Sequence, residues 1–181
     1  MKRNMISSTP TLFWITGLSG SGKTTIGMKL AKQLKDRGLP VIFLDGDILR
    51  EVFNNQFNHD RDSRKTASMQ YAKLCRMLVN QHINVVCSTI SLFHDTHEWN
   101  RKHIPNYLEI FIDVPLHELA KRDIKNIYSR AQSGELKNIV GIDIKPEFPK
   151  QADLVIQNHA DSSPEDNVNL ILKKYDAFIH A

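Results

Sequence analysis

The chain has 181 residues, of which 41% are hydrophobic and 24% charged, a composition typical of one globular domain with a buried core. Its Lys and Arg residues exceed its Asp and Glu residues, giving a net charge of +4. This scattered excess suits a phosphate-bearing small molecule and disfavours nucleic acid as a partner. Cys75 and Cys87 lack zinc or redox spacing and no apolar stretch could span a membrane, so we expect a cytoplasmic protein.

Short apolar strands alternate with amphipathic helices along the chain. Apolar and β-branched runs predict strands over 11–16, 41–44, 83–90, 108–114 and 154–156. Helical spacing predicts helices over 26–34, 71–78 and 116–128, and a last helix that opens at Ser163 and Pro164. Apolar strands that alternate with helices predict an α/β fold, a parallel sheet of about five strands with helices on both faces.

The stretch 129–150 is polar and carries little helical or strand periodicity. A loop of this length is usually functional, and it predicts a lid over an active site. We expect residues 1–10 to be a flexible lead-in, and the whole chain 1–181 to form one domain.

Residues 17–24 match the P-loop pattern G-x-x-x-x-G-K-[ST] at every fixed position, between a predicted strand and a predicted helix. Glycines let the backbone N–H groups turn toward a phosphate, and the helix N-terminus adds positive charge there. Lys23 is expected to reach the β- and γ-phosphates of ATP, and the Thr24 hydroxyl to join the Mg²⁺ shell. The glycine order disfavours a dinucleotide-binding site.

Two carboxylates end the second predicted strand, in the sequence Asp-Gly-Asp. Because ligands bind at the carboxyl ends of parallel strands, Asp45 and Asp47 are expected beside the P-loop. Asp47 could hold Mg²⁺ or accept a proton from an attacking hydroxyl, and Arg50 could bind an anionic acceptor. No guanine-specificity motif N-K-x-D is present, so a small-molecule kinase is favoured over a GTPase. The alternative is a nucleotide-binding module without turnover.

These motifs, with others further along the chain, resemble the adenylylsulfate (APS) kinase family from about residue 12 to residue 158. The shared features are the P-loop followed by Thr25, the D-G-D-x-x-R of 45–50, Phe57, the Asp60-Arg61 pair, Ile90-Ser91, the Asp-x-Pro of 113–115, and the lid patterns of 122–128 and 131–143. The lid patterns are the most specific of them.

The resemblance implies a phosphotransferase that moves the γ-phosphoryl group of ATP to the 3′-hydroxyl of APS, forming 3′-phosphoadenylylsulfate in sulfate assimilation. The residues implied for ATP are Gly17, Leu18, Ser19, Gly20, Ser21, Gly22, Lys23, Thr24, Thr25 and Arg122. Those implied for the acceptor are Asp45, Asp47, Arg50, Phe57, Arg61, Ile90, Ser91, Lys125, Lys137 and Ile139. Lys23, Asp47 and Ser91 are the implied catalytic positions, and Thr24 and Asp47 the implied Mg²⁺ ligands. Members of the family are commonly dimers, so the resemblance favours a homodimer.

Three departures from the family pattern fall on the acceptor side. The Asn and Arg that usually follow the Asp-Arg pair are missing from 62–66, Leu92 follows Ser91 in place of proline, and Ile139 stands where the family has a phenylalanine that stacks on adenine. An aromatic side chain stacked on a base contributes ~1–3 kcal/mol. The alternative acceptor is therefore a smaller pyrimidine nucleotide, the cytidine diphosphoramidate used by a branch of the family in capsule modification.

Overall fold

Five parallel strands form the centre of the structure, in the order β2-β3-β1-β4-β5. The structure is a computed structural model that describes residues 9–53, 57–123, 126–159 and 161–179, so most of the predicted lead-in lies outside the described residues. The strands are β1 Leu12–Thr16, β2 Val41–Asp45, β3 Asn84–Ser88, β4 Tyr107–Asp113 and β5 Leu154–Gln157. All four strand pairs are parallel.

Seven helices connect or follow these strands in the part of the chain that the structure describes. They are α1 Lys23–Asp36, α2 Gly46–Val52, α3 Arg61–Val79, α4 His94–His103, α5 Leu116–Arg122, α6 Ile127–Gln132 and α7 Pro164–Ile179. Not one described helix has the length and apolar character needed to cross a membrane.

Both faces of the sheet are covered, because successive side chains of a strand point to opposite faces. Phe13 and Ile15 of β1 belong to one buried cluster, with residues of α1 and α7. Leu12 and Trp14 belong to the other, with residues of α3. This arrangement confirms the predicted α/β fold with a five-stranded parallel sheet.

The helix predicted over 116–128 is wrong, since the structure has α5 and α6 in its place. Asp123 ends α5 with a positive φ of 20°. Its carboxylate oxygens then accept hydrogen bonds from the amides of Tyr128, at 2.9 Å, and Ser129, at 3.0 Å. These bonds satisfy amide groups at the start of α6. A hydrogen bond from the Ser129 side chain, followed by the bonds from the backbone amides, holds the pKa of Asp123 below its ordinary value. The lid region therefore includes α6 rather than being irregular throughout.

Two other boundaries differ from the sequence prediction. Strand β3 ends at Ser88 rather than at residue 90, because the neighbouring strand β2 ends opposite that residue, at Asp45. Helix α2 was not predicted, since the pair Asp-Gly is typical of a turn. Asp45 instead caps this helix by accepting a hydrogen bond from the Asp47 amide.

The sheet order places the P-loop at the middle of the molecule. Strand β1 lies between β3 and β4. Strands β2 and β3 lie on one side of it, and β4 and β5 lie on the other, so the strand order reverses direction at the carboxyl end of β1. Such a switch point leaves a crevice at the ends of the strands. Gly27 lets α1 approach the sheet there, since a Cβ atom at this position would lie 2.7 Å from the Phe43 ring.

Candidate active site

The P-loop joins β1 to α1 with its glycines in left-handed conformations. Gly20 has a φ of 76° and Gly22, the residue before α1, a φ of 96°. A Cβ atom at Gly22 would also lie 2.7 Å from the amide nitrogen of Asn158. Only glycine adopts this backbone readily and leaves that space, and the result is a loop with N–H groups at the start of a 14-residue helix.

Lys23 is buried within the loop that it belongs to. Its ammonium group donates a hydrogen bond to the Leu18 carbonyl at 2.7 Å and lies 3.5 Å from the Ser21 hydroxyl. The backbone carbonyl of Lys23 accepts a bond from Ser88 at the end of β3. The charged group is therefore fixed beside the loop glycines, where a phosphate chain would need a cation.

Oxygen ligands converge between the P-loop and the end of β2. The Thr24 hydroxyl donates a hydrogen bond to Asp45 Oδ2 at 2.8 Å, and Asp45 Oδ1 accepts one from the Asp47 amide at 2.9 Å. Asp45 is buried, whereas Asp47 is exposed in the first turn of α2. A hydroxyl and carboxylates fit Mg²⁺, which prefers hard oxygen ligands and retains several waters. The described residues hold no cluster of three His, Cys, Asp or Glu side chains suited to a metal ion.

A cavity of about 480 Å³ extends from the P-loop to the lid. At the P-loop end, the predicted residues that line it are Ser19, Gly20, Gly22, Lys23, Thr24 and Thr25. The other predicted residues that line it are Asp45 and Asp47, beside Thr24, and Arg50, Ile90, Ser91, Lys137 and Ile139. One cavity thus brings together most of the residues predicted for ATP and for the acceptor.

A second cavity, of about 360 Å³, lies on the other side of the P-loop. Arg122 lines it and donates a hydrogen bond to the Asn158 carbonyl at 2.7 Å. The Asn158 side chain in turn donates to the Ser21 carbonyl at 2.8 Å. Sequence reasoning missed Asn158, although its place two residues after the strand predicted over 154–156 was a usable signal.

Two predicted acceptor residues, Arg61 and Phe57, are not among the described residues that line the main cavity. The Arg61 guanidinium forms an ion pair with Glu147 and lies over the Phe93 ring, at the edge of the main cavity rather than among its described lining residues. Phe57 packs against Phe53, and its carbonyl accepts a 2.6 Å hydrogen bond from Arg50. Lys125 lies outside the described residues.

Ser91 is buried at the wall of the main cavity and has a positive φ of 28°. Its hydroxyl lies 2.9 Å from that of Thr89, and its carbonyl is 2.8 Å from His97 Nε2. The pKa of His97 lies below its ordinary value because burial disfavours the charged ring, although Glu109, 3.5 Å away, opposes that shift. Because a carbonyl oxygen can only accept, His97 Nε2 donates this hydrogen bond, which fixes the backbone of Ser91.

The lid turn that carries Ile139 is held by a carboxylate. Asp143 accepts hydrogen bonds from the amides of Asn138 and Ile139. Farther along the lid, Glu147 accepts a bond from the His94 amide at the start of α4. These contacts hold the turn in one conformation and place the half-buried Ile139 side chain at the cavity wall.

Two further cavity residues, Arg64 and Tyr71 of α3, were not singled out from the sequence as binding groups. Burial, followed by repulsion from Arg50, holds the pKa of the Arg64 guanidinium below its ordinary value. Burial likewise raises the pKa of Tyr71, whose hydroxyl has no hydrogen-bond partner among the described residues. No sequence motif marks either residue, because only the packing of α3 brings them to the cavity.

A P-loop on the central strand, facing a cavity lined by carboxylates and cations, defines the protein as a P-loop kinase, a phosphotransferase that acts on a hydroxyl group. The family model for adenylylsulphate kinase matches residues 9–157. The chain belongs to the adenylylsulphate kinase family.

Relatives of known activity fall into two groups. The chain is 42% identical over 169 residues to the cytidine diphosphoramidate kinase of Campylobacter jejuni, covering 93% of this chain and 98% of that one. It is 34% identical over 160 residues to an adenylyl-sulfate kinase of Synechococcus, covering 88% and 90%. The solved APS kinase CysC of Mycobacterium tuberculosis, in complex with AMPPNP and APS, has a TM-score of 0.86 and 27% identity, covering 93% of this chain and 99% of that one.

Proposed function

We propose that the protein transfers the γ-phosphoryl group of ATP to the 3′-hydroxyl of a cytidine nucleotide, with cytidine diphosphoramidate as the acceptor. The observation that carries this proposal is the aliphatic Ile139 on the cavity wall, at the position where the family resemblance implies an aromatic ring against adenine. A pyrimidine offers less area for stacking than a purine, so the replacement of the ring by isoleucine costs it less binding free energy. The 42% identity to a cytidine diphosphoramidate kinase supports the same acceptor.

APS is the second candidate acceptor. The family model and the adenylyl-sulfate kinase relatives at 34% identity favour it. It would place the protein in sulfate assimilation. The phosphosulfate group of APS would bind the same cationic side chains as the phosphate group of the cytidine compound. The two acceptors therefore differ mainly in their bases.

ATP would span the two cavities. The P-loop amides and Lys23 would bind the phosphate chain, while the cavity beside Arg122 and Asn158 has the position and volume for the adenine base. Thr24, Asp45 and Asp47 would hold Mg²⁺, which neutralises charge on the β- and γ-phosphates when bound. Because Lys23 is already fixed by the Leu18 carbonyl, it needs little rearrangement to meet the phosphate oxygens.

The acceptor would bind at the lid end of the main cavity. Arg50 and Lys137 line that end and would bind its diphosphate-like group. Asp47 would accept the proton of the attacking hydroxyl as the oxygen bonds to the γ-phosphorus and ADP leaves. In this mechanism the phosphoryl group passes directly to the acceptor, and Ser91 shapes the pocket without being phosphorylated.

The compartment and the oligomeric state of the protein are proposals too. Cys75 and Cys87 are buried and free, which suits the reducing cytoplasm. A homodimer is expected from the family resemblance alone, and ultracentrifugation of the purified protein would test it.

The experiment is an ADP-release assay with ATP, Mg²⁺ and either cytidine diphosphoramidate or APS. We expect acceptor-dependent ADP release with a higher kcat/KM for the cytidine compound, and none with its 3′-deoxy analogue. A higher kcat/KM for APS would favour the second candidate. Release with neither acceptor would contradict the proposed reaction and favour a nucleotide-binding module.

A further inference from the structure

Arg64 joins the first turn of α3 to the lid. Its Nε donates a hydrogen bond to the His59 carbonyl at 2.7 Å, and Nη2 donates to the Asn138 carbonyl at 3.0 Å. His59 Nδ1 lies 3.3 Å from Nη2. Since Asn138 directly precedes Ile139 and both Arg64 and Ile139 line the main cavity, the guanidinium lies at the lid end, beside the residue assigned to the acceptor's base.

Part of the Arg64 guanidinium can donate hydrogen bonds to a ligand. The hydrogen bonds that Arg64 makes to described residues use Nε and Nη2, and none of them involves Nη1. No carboxylate of the described residues lies within ion-pair distance of it, and Arg64 is only partly exposed. A half-buried cation is costly unless acceptor atoms surround it. The structure supplies carbonyl oxygens on one side and the cavity on the other.

We propose that Arg64 determines the base specificity of the acceptor site, selecting cytosine over adenine. The proposal rests on the proposed function, which places a nucleotide acceptor in this cavity. It assigns a substrate-selecting role to a residue that the P-loop, the Asp-Gly-Asp sequence and the lid patterns do not include.

The selection follows from the hydrogen-bonding pattern of the two bases. A guanidinium has donors and no acceptor. Cytosine presents two neighbouring acceptors, the carbonyl oxygen O2 and the ring nitrogen N3, and both can receive hydrogen bonds from arginine. Adenine presents on its Watson–Crick and Hoogsteen edges one ring nitrogen acceptor beside the N6 amino donor, and that donor would face the cation. A site built from donors therefore rejects adenine by leaving polar groups unpaired.

The neighbouring side chains fit the same acceptor. Ile139 gives the base an apolar contact without the ring that would suit a purine. Arg50 and Lys137 also line the cavity and would provide charge for the acceptor's phosphate group. The hydrogen bond from Arg64 to the Asn138 carbonyl fixes this guanidinium against the lid turn.

The test is Arg64→Gln, compared with the wild type for cytidine diphosphoramidate and APS. A glutamine amide offers one donor and one acceptor, the pairing that suits adenine. We expect the ratio of kcat/KM for the cytidine acceptor to that for APS to fall by roughly tenfold or more. The change should come mainly from the acceptor KM, with the KM for ATP unchanged.

The matched control is Lys65→Gln, which removes a positive charge from the next residue. Lys65 pairs with Asp95 and lies outside the described lining of the cavity, so its replacement should leave the ratio unchanged. Circular dichroism would verify that both variants fold. An unchanged ratio in folded Arg64→Gln, or an equal loss for both acceptors, would overturn the proposal.

A binding measurement separates this proposal from the proposed reaction. Calorimetry with CDP and ADP, on protein saturated with a non-hydrolysable ATP analogue, reports base preference without turnover. If neither acceptor is phosphorylated but the wild type prefers CDP and Arg64→Gln loses that preference, the reaction is wrong and the base assignment is supported. Equal binding of CDP and ADP by the wild type would overturn the base assignment.

Discussion

At the scale of single residues, the proposed reaction depends on charges held in fixed positions, and Lys23 is the clearest case. Its ammonium group is buried and bonded to the Leu18 carbonyl. We expect Lys23→Ala to raise the dissociation constant for ATP at least about tenfold, because the phosphate chain loses its fixed cation. Titration with a fluorescent ATP analogue measures this change. Lys32→Ala, which removes an exposed lysine paired with Asp36, should leave ATP binding unchanged.

Asp47 is an exposed carboxylate beside the Thr24–Asp45 pair. We expect Asp47→Asn to lower kcat by about a hundredfold or more, since the amide can neither accept the hydroxyl proton nor bind Mg²⁺ as strongly. ATP affinity should be mostly kept. Steady-state kinetics together with ATP titration measure the two effects separately, and Asp62→Asn, an exposed acid in the first turn of α3, is the control. Full turnover in Asp47→Asn would remove this carboxylate from the mechanism.

A substitution at Ile139 is expected to increase activity toward APS. We expect Ile139→Phe to raise kcat/KM for APS several-fold, because a ring stacked on adenine contributes ~1–3 kcal/mol. Kinetics with both acceptors would measure the change in preference. Ile142→Phe, at an exposed lid position, adds the same ring outside the described cavity lining and should have no such effect. An unchanged preference in Ile139→Phe would contradict the stacking argument.

At the scale of elements, the helix caps explain where several helices begin. The Ser163 hydroxyl accepts a hydrogen bond from the Asp166 amide at 3.0 Å, at the start of α7, where the sequence predicted that a helix opens. We expect Ser163→Ala to lower the free energy of unfolding by ~1 kcal/mol, because an amide of the first turn loses its acceptor.

The measurement for this cap is urea unfolding followed by circular dichroism. Ser163→Asp keeps a capping oxygen and should retain most of the wild-type free energy of unfolding. Equal losses in both variants would show that the serine matters for another reason, such as packing against its neighbours.

At the scale of the whole molecule, a buried histidine links stability to pH. His97 is buried against Ser91 and Glu109, and its pKa is lowered chiefly by burial. The unfolded chain, with a histidine pKa of about 6.5, binds this proton more readily than the folded protein. Stability from this group is therefore complete above that pKa and is lost as the pH falls below it.

We expect the free energy of unfolding of the wild type to fall between about pH 7.5 and about pH 5.5, with a smaller fall in His97→Asn. Urea unfolding at the two pH values measures the difference. His117→Asn, which changes an exposed histidine at the start of α5, should retain the wild-type dependence. If His97→Asn retains it too, other groups account for the pH dependence.

Local sequence was sufficient for the sheet and for the phosphate-binding end of the site. The five strands were predicted because each is a short apolar run bounded by turn residues, and the P-loop because its pattern fixes backbone geometry within eight neighbouring residues. Asp47 and Arg50 were predicted for the same reason, since they follow directly from the end of a strand. Local patterns failed at α2 and at Asp123, where a carboxylate's hydrogen bonds to backbone amides decided the conformation.

The sequence by itself determined the fold class, the P-loop and the class of reaction, because those depend on residues close together in the chain. The tertiary structure alone decided that Arg64 and Tyr71 line the cavity as well, and that Arg61 does not. Arg64 contacts Asn138, a residue 74 positions away, and Arg61 pairs with Glu147 instead of lining the cavity. Contacts between such distant segments depend on how α3 and the lid pack together, and no local pattern records that packing.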